Sequence, residues 1–338
     1  MSFWGKVIQR LFPGFYKERK QLYKTVKKQS RELAAARKEI ASLHNQLRQF
    51  ERTSLEYMDP ALYPHAVRQW YLHRTGNILD LDNPRTFNEK IQWMKLYDPD
   101  PRKALLADKY RVRKWVAERI GEQYLTPLLG VYRYGSKINF DALPNQFVLK
   151  VTHGSHMNVI VTDKTAEDLA SLRKKADAWL HRSIAFEGFE LHYNDIPRRI
   201  IIEDLLQNAD GDLPDYKLWC FDGKVRFTEL IVNRKTTPQM AMLDPQWQLL
   251  PFTTGTYPAA ESVPEMPEQI PEMIRIAEIL SEGFPHVRVD LYLLDSGEIR
   301  FGEMTFTTSA GACRWTPPEA DLWVGEMLQL PEAQIPES

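Results

Sequence analysis

From residue 22 onward the apolar positions advance in alternating steps of four and three. Leu22, Val26, Leu33, Ala36, Ile40, Leu43, Leu47 and Phe50 mark the seam, with Gln29 holding one of its places. The positions between are mostly polar or charged, and residues 15–59 contain no Pro or Gly. Four heptads of this kind predict a coiled coil over residues 16–58. Ahead of it, Phe3, Trp4, Val7, Ile8, Leu11, Phe12 and Phe15 recur at helical spacing around Lys6 and Arg10. That pattern predicts a short amphipathic segment over 1–15, suited to a bilayer interface. Packing of the same segment on the body is the other reading.

After Asp59-Pro60 the period changes. Arg68–Leu72, Phe87–Leu96 and Ala104–Ile120 carry apolar residues at helical spacing, so residues 59–130 are expected to be mainly helical. Thr86 precedes one of these helices as a candidate N-cap, three residues before Glu89. From about Leu125 the spacing shortens towards strand. FVLKV (147–151) and VIVTD (159–163) bracket a polar turn, and a helix follows over Ala166–Ser183. IIIEDLL (200–206) is a buried strand, and residues 216–232 form a hairpin about Asp222-Gly223. A helix over Pro271–Glu282 leads to a last hairpin, HVRVDLYLLDSGEIRFGEMTF (286–306). Helices and strands in this order predict an α+β chain, or an α/β one with substantial antiparallel sheet.

Charge sharpens this division. Residues 1–58 hold 13 Lys/Arg against 5 Asp/Glu, and the remainder holds 31 against 40, for −1 overall. A basic arm on a mildly acidic body fits an anionic lipid surface. Nucleic acid is disfavoured, because the arm carries large apolar residues and no nucleic-acid module. The two cysteines, Cys220 and Cys313, are too few for a disulfide framework or a zinc site, which favours a reducing compartment. No apolar run is long enough to span a membrane.

Two stretches carry candidate chemistry. Lys150 sits within the apolar strand FVLKV, where a charge needs a partner. The polar loop HGSHMN follows, with His153, Gly154 and Ser155 placed to wrap phosphates through backbone N–H groups. In the last hairpin, a turn centred between Ser296 and Gly297 sets Asp290 opposite Glu303 and Arg288 opposite Thr305. Facing carboxylates destabilise a hairpin unless something reconciles them. A Mg²⁺ ion shared with phosphates would do so, and so would neutralisation by Arg288 on a solvated face. Cys220 alternates within an apolar strand and reads as core. Cys313 and Arg314 lie in TTSAGACRW (307–315), a small, polar segment suited to a substrate site, where Arg314 is placed to bind a carboxylate.

Six stretches in order resemble the ATP-grasp superfamily, and more narrowly its TupA-like members, associated with teichuronopeptide biosynthesis. They are FNEKIQWMKLYD (87–98), ADKYRVRKWV (107–116), FVLKVTHGS (147–155), IIIEDLL (200–206), DYKLWCFDGKV (215–225) and RVDLYLLDSGEIRFGEMTF (288–306). The resemblance covers roughly residues 60–320 and implies two α+β halves enclosing ATP, here 131–206 and 207–338.

On that resemblance, Lys109 and Lys150 meet the phosphates, with His153, Gly154 and Ser155 in the loop beside them. Glu203, Asp204, Leu205 and Leu206 form the hinge that contacts adenine through backbone groups. Asp215 takes the ribose hydroxyls, and Lys217 meets phosphate or substrate. Arg288 binds phosphate and, with Lys150, serves the reaction. Asp290 and Glu303 hold Mg²⁺, with Thr305 standing where the superfamily has an asparagine.

The implied activity is an ATP-dependent carboxylate–amine ligase acting through an acyl phosphate. Its expected substrates are an amino acid and a uronic acid or amino acid of a cell-envelope polysaccharide. A kinase or glycan-modifying transferase on the same site, or a non-catalytic scaffold, are the alternatives. Expected partners are small-molecule or glycan substrates, further copies of the chain through the coiled coil, and the inner face of the cytoplasmic membrane through residues 1–15.

Overall fold

A computed structural model describes residues 13–209, 211, 213–232 and 237–333. Most of the amphipathic segment expected over 1–15 therefore lies outside the described residues. The chain divides into two compact units, residues 1–58 and 59–338.

The first unit is helix α1 (Pro13–Glu56), 44 residues of uninterrupted helix and about 66 Å long at 1.5 Å per residue. Leu22, Val26, Leu33 and Ile40, which lie on the heptad seam, are each more than half exposed. A seam of this kind is buried by another helix, and none covers it within the described chain.

The second unit begins with helices α2 (Tyr63–Thr75), α3 (Phe87–Tyr97), α4 (Pro101–Ala107) and α5 (Val112–Arg119). Thr86 and Glu89 close a reciprocal capping box at the start of α3. The single helix expected over 104–120 is broken between α4 and α5. Buried Asp108 turns its carboxylate back to accept hydrogen bonds from the amides of Tyr110 (2.8 Å) and Arg111 (3.1 Å). A side chain that bonds the amides of the next turn competes with continuation of the helix before it. The break lifts Lys109 out of a helical face and onto a connector, where its amide donates to the Thr152 carbonyl (3.4 Å).

Strands β1 (Leu128–Tyr132), β2 (Phe147–Val151) and β3 (Asn158–Val161), helix α6 (Leu169–Leu180) and strand β4 (Ile200–Glu203) make the first half. The strands form an antiparallel sheet in the order β1-β4-β2-β3. Phe147, Leu149 and Val151 alternate onto one face and pack with Leu172, Ala176 and Leu180 of α6. Each of these apolar side chains contributes roughly 1.5–3 kcal/mol when fully buried, Ala176 less.

The second half holds β5 (Asp215–Phe221), β6 (Lys224–Val232), β7 (Gln239–Leu243), α7 (Ile270–Ser281), β8 (His286–Leu293), β9 (Ile299–Thr305) and α8 (Ala320–Met327). Its five strands are antiparallel in the order β7-β6-β5-β8-β9. One face, with Leu218, Cys220, Val287 and Val289, packs on Met273, Ile276, Ala277 and Leu280 of α7. Cys220 is fully buried there, and burial pushes its thiol up to about 12, as expected of a core residue. On the opposite face, Trp219, Phe221 and Phe227 pack with Phe87 and Trp315 beneath α3 and α8.

The stretch FNEK clamps these helices together. Phe87 fills the aromatic cluster, and Asn88 bonds both to Asp321 and to the Cys313 carbonyl. Lys90 donates to the carbonyls of Gly325 and Leu328 at the end of α8 (both 2.8 Å). One turn on, Gln92 and Lys95 hold the carbonyl of Ala310 in the TTSAGACRW segment. Cys313 is buried as well, whereas Arg314 is exposed.

Candidate active site

The charged side chains of the second sheet line up because its registers bring them onto one face. Glu229 of β6, Lys217 of β5, Asp290 of β8 and Glu303 of β9 are successive cross-strand partners. One step along, Trp219, Arg288 and Thr305 form the neighbouring row. Asp290 does face Glu303, yet the turn is not where the simple arithmetic put it. Near the turn the pairs are Leu291–Phe301 and Leu293–Ile299, one residue out of step with Asp290–Glu303. A bulge at Gly302 restores the pairing at the site. A Cβ at Gly302 would lie 2.9 Å from the Asp290 carbonyl oxygen and 3.1 Å from the Tyr292 ring, so the bulge needs a residue without one.

The repulsion between the two carboxylates is offset by three cations. Arg288 grips Asp290 with two parallel bonds of 2.7 Å and lies 3.6 Å from Glu303. Lys217 touches Asp215 and lies 3.7 Å from Asp290. Lys109 reaches across from the connector, 3.2 Å from Glu303 and 3.2 Å from the Gly154 carbonyl. Burial alone would disfavour the Glu303 charge, but Lys109 and Arg288 outweigh it and hold the carboxyl down at about 2. Burial also depresses Lys217, against the pull of Asp290. Thr305 stands 3.4 Å from both Glu303 and Arg288, within reach of the same space.

The first sheet presents a second charged cluster. The partner that Lys150 needs is Glu203, at 2.5 Å, and Arg113 holds the other Glu203 oxygen at 2.9 Å. Glu203 is flanked by Leu128 of β1 and Val148 of β2, so its backbone belongs to the sheet ladder and not to a free hinge. The cavity begins one residue later. Asp204, Leu205 and Leu206 line a space of about 530 Å³ together with Pro127, Gln146 and Arg300.

The loop after β2 divides its residues. The Gly154 carbonyl faces Lys109, and Ser155 is exposed. His153 is buried, with Nε2 3.2 Å from the carbonyls of Trp179 and Arg182 at the end of α6. Burial lowers its pKa, so it is a neutral peg under the loop and not a ligand on its surface. The imidazole thus anchors the loop, and a nucleotide contact expected of His153 falls to its backbone N–H.

Two participants escaped the sequence reading. Arg113 lies four residues after Lys109, a spacing that could have drawn attention to it. Glu229 is buried beside Lys217, its carboxylate accepting from the Trp219 indole at 3.2 Å, and burial raises its pKa. A two-residue turn at Asp222-Gly223 would pair Lys217 with Thr228, and a bulge beside Trp219 moves the pairing to Glu229.

Along β8 the features follow a sequence. Leu294, just beyond the strand, lines the cavity. Tyr292 is the partner of Asp215, and Asp290 the partner of Lys217. At 3.3–3.4 Å per residue the cavity and the carboxylates are about 13 Å apart along the strand. The donor set at the far end fits Mg²⁺: two hard-oxygen carboxylates fixed on adjacent strands. Among the described residues no group of three or more His, Cys, Asp or Glu forms a metal cage. An ion held by only two carboxylates depends on ligand phosphates for the rest of its shell, which is the habit of Mg²⁺.

An antiparallel two-sheet body with Lys150 on one sheet, Lys217 and paired carboxylates on the other and Lys109 on a connector beside them is the arrangement of an ATP-grasp protein. A model of the TupA-like ATP-grasp family matches residues 89–329, well over half of the sequence, and the chain belongs to that family. A search of curated proteins finds no match. Among solved structures, the chain is similar to an L-amino acid ligase from Bacillus licheniformis (13% identity, TM-score 0.43, covering 77% of this chain and 58% of that one). It is similar also to the D-alanine–D-alanine ligase from Bacillus anthracis complexed with ATP (16%, 0.36, 64% and 57%). A third is the N5-carboxyaminoimidazole ribonucleotide synthetase purK in its ADP complex (13%, 0.38, 60% and 45%). The chain thus spans about half the length of the solved proteins it matches.

Proposed function

We propose that the protein is an ATP-dependent carboxylate–amine ligase. The observation that carries this reading is the row on β5, β8 and β9: Lys217, Asp290 and Glu303, flanked by Arg288 and Lys109, with a cavity at the other end of the same hairpin. Adenine occupies the cavity against Asp204–Leu206, and Asp215 takes the ribose. Lys109, Lys217 and Arg288 turn from their carboxylates to the phosphates. Lys150, one quarter exposed beside Glu203, supports the phosphate end from the first sheet. Asp290 and Glu303, with the Thr305 hydroxyl beside them, hold Mg²⁺, which supplies charge neutralisation for the phosphoryl group in transfer.

In the reaction, a substrate carboxylate oxygen takes the γ-phosphoryl group of ATP, giving an acyl phosphate and ADP. An amine nitrogen then attacks the acyl carbon, phosphate departs, and the nitrogen loses a proton to leave an amide. The chain's own share is positioning and fixed positive charge. The substrates we favour are an amino acid and a uronic acid or amino acid of a cell-envelope polysaccharide. The basic, aromatic sequence of residues 1–15 would hold the enzyme to the inner face of the cytoplasmic membrane, where a lipid-linked acceptor is available.

The test is ATP consumption screened against amino acids and uronic-acid sugars, with mass spectrometry of the products. ADP release that requires both a carboxylate and an amine is expected. A phosphorylated end product formed without an amine would make it a kinase. Absence of Mg-ATP binding in calorimetry would leave a scaffold.

A further inference from the structure

We propose that α1 is one strand of a parallel, in-register, two-stranded coiled coil formed with a second copy of this chain. Nothing in this rests on the ligase reading. The first observation is the uncovered seam: Leu22, Val26, Leu33 and Ile40 are 65, 52, 54 and 53% exposed on a helix whose other positions are mostly polar. The second is its register. Val26, Leu33, Ile40 and Leu47 fall at heptad position a, and Leu22, Gln29, Ala36, Leu43 and Phe50 at d. β-Branched Val26 and Ile40 at a, with Leu22 and Leu43 at d, favour two strands.

Charge decides both the occupant and its direction. In this register Glu32 and Glu39 lie at g, and Arg37 and His44 at e. A parallel, in-register copy brings each Glu32 to Arg37 of the other strand, and each Glu39 to His44. An antiparallel pair brings g against g. Aligned on the Leu33–Ala36 layer it opposes Glu32 to Glu39. Shifted one heptad either way it opposes Glu32 to Glu32 or Glu39 to Glu39. Every antiparallel alignment that keeps most of the Leu22–Phe50 seam therefore sets like charges together at g, and the parallel one sets none across its e and g positions. The helix thus complements itself in one orientation. In that orientation both N-termini leave the pair at the same end, so two copies of the Phe3–Phe15 sequence would meet one surface together.

The test uses the full chain. Light scattering is expected to return twice the 39.5 kDa chain mass. Ala36→Cys should cross-link to itself on mild oxidation, with little background because Cys220 and Cys313 are buried. Glu32→Arg should weaken the dimer about tenfold, and adding Arg37→Glu should restore it. A monomeric or trimeric mass would overturn the proposal. So would cross-linking of Ala36→Cys to Leu33→Cys in preference to itself, or a failure of the second charge change to rescue the first.

Discussion

The molecule contains two clusters of opposed charge, one on each sheet, and they are built differently. On the first sheet, Glu203 is enclosed by Lys150 and Arg113, and its side chain is only 8% exposed. On the second, Asp290 is enclosed by Arg288, but its partner Glu303 remains 39% exposed and is reached by Lys109 from the other half. In the first cluster the acid is closed in: Glu203 has a cation on each oxygen, and only Lys150 keeps a quarter of its side chain exposed. The second is open on one side, and its three cations, Lys109, Lys217 and Arg288, are shared among Asp215, Glu229, Asp290 and Glu303. A well-buried acid held by two cations fixes strands in place, whereas an open cluster whose cations are shared among several carboxylates can admit phosphate together with Mg²⁺.

The contrast can be broken first at Asp290. Asp290→Asn should lower turnover about a hundred- to a thousandfold and remove the Mg²⁺-dependent part of ATP binding, measured by ADP release and calorimetry. The variant should still fold, because Glu303 stands 3.6 Å from Arg288 and can take it over. Glu203→Ala should behave in the opposite sense. It leaves Lys150 and Arg113 close together without their anion, and should cost about 3 kcal/mol in urea unfolding before any effect on chemistry is considered. If Asp290→Asn proved the more destabilising of the two, the assignment of roles would be reversed.

Gly302→Ala tests the bulge. Contacts of 2.9 and 3.1 Å to the Asp290 carbonyl and the Tyr292 ring should cost about 1–3 kcal/mol and disturb the Asp290–Glu303 pairing. The smallest effect is expected from acid. Glu303 is held at about 2 in the folded chain by Lys109 and Arg288 against burial, below its ordinary value near 4.5. Its contribution to stability is therefore present above about pH 4.5 and is lost as pH falls towards 2. Glu303→Gln should flatten that part of the stability profile in urea midpoints taken between those pH values.

Much of this was legible in the sequence. The long helix followed from an uninterrupted heptad, because helical periodicity over 29 residues has no competing explanation. The strands FVLKV and IIIE and both hairpins followed from short apolar runs between turn residues. The demand for a partner at Lys150 followed from the cost of burying a charge, although its identity, Glu203, lay fifty residues away and had been given another role. Lys109 was found by resemblance, but it lies on a connector and not on the expected helix, because the Asp108 turn is held by a long-range bond from the Lys109 amide to Thr152.

The two hairpins show where sequence stops. Both turns were recognised, and in both a one-residue bulge intervenes before the functional row. A single-residue slip sends every later side chain to the opposite face. At β8 and β9 the misplaced turn centre and the unseen bulge at Gly302 cancelled, and Asp290 met Glu303 as expected. At β5 and β6 nothing cancelled, and Glu229 was missed. The sequence by itself determined the elements, the family and the identity of most charged residues, because these depend on local periodicity and on ordered motifs. The tertiary structure decided which of those charges share a face. A bulge is chosen by packing on both sides of a sheet, and that choice is not written in the few residues of the turn.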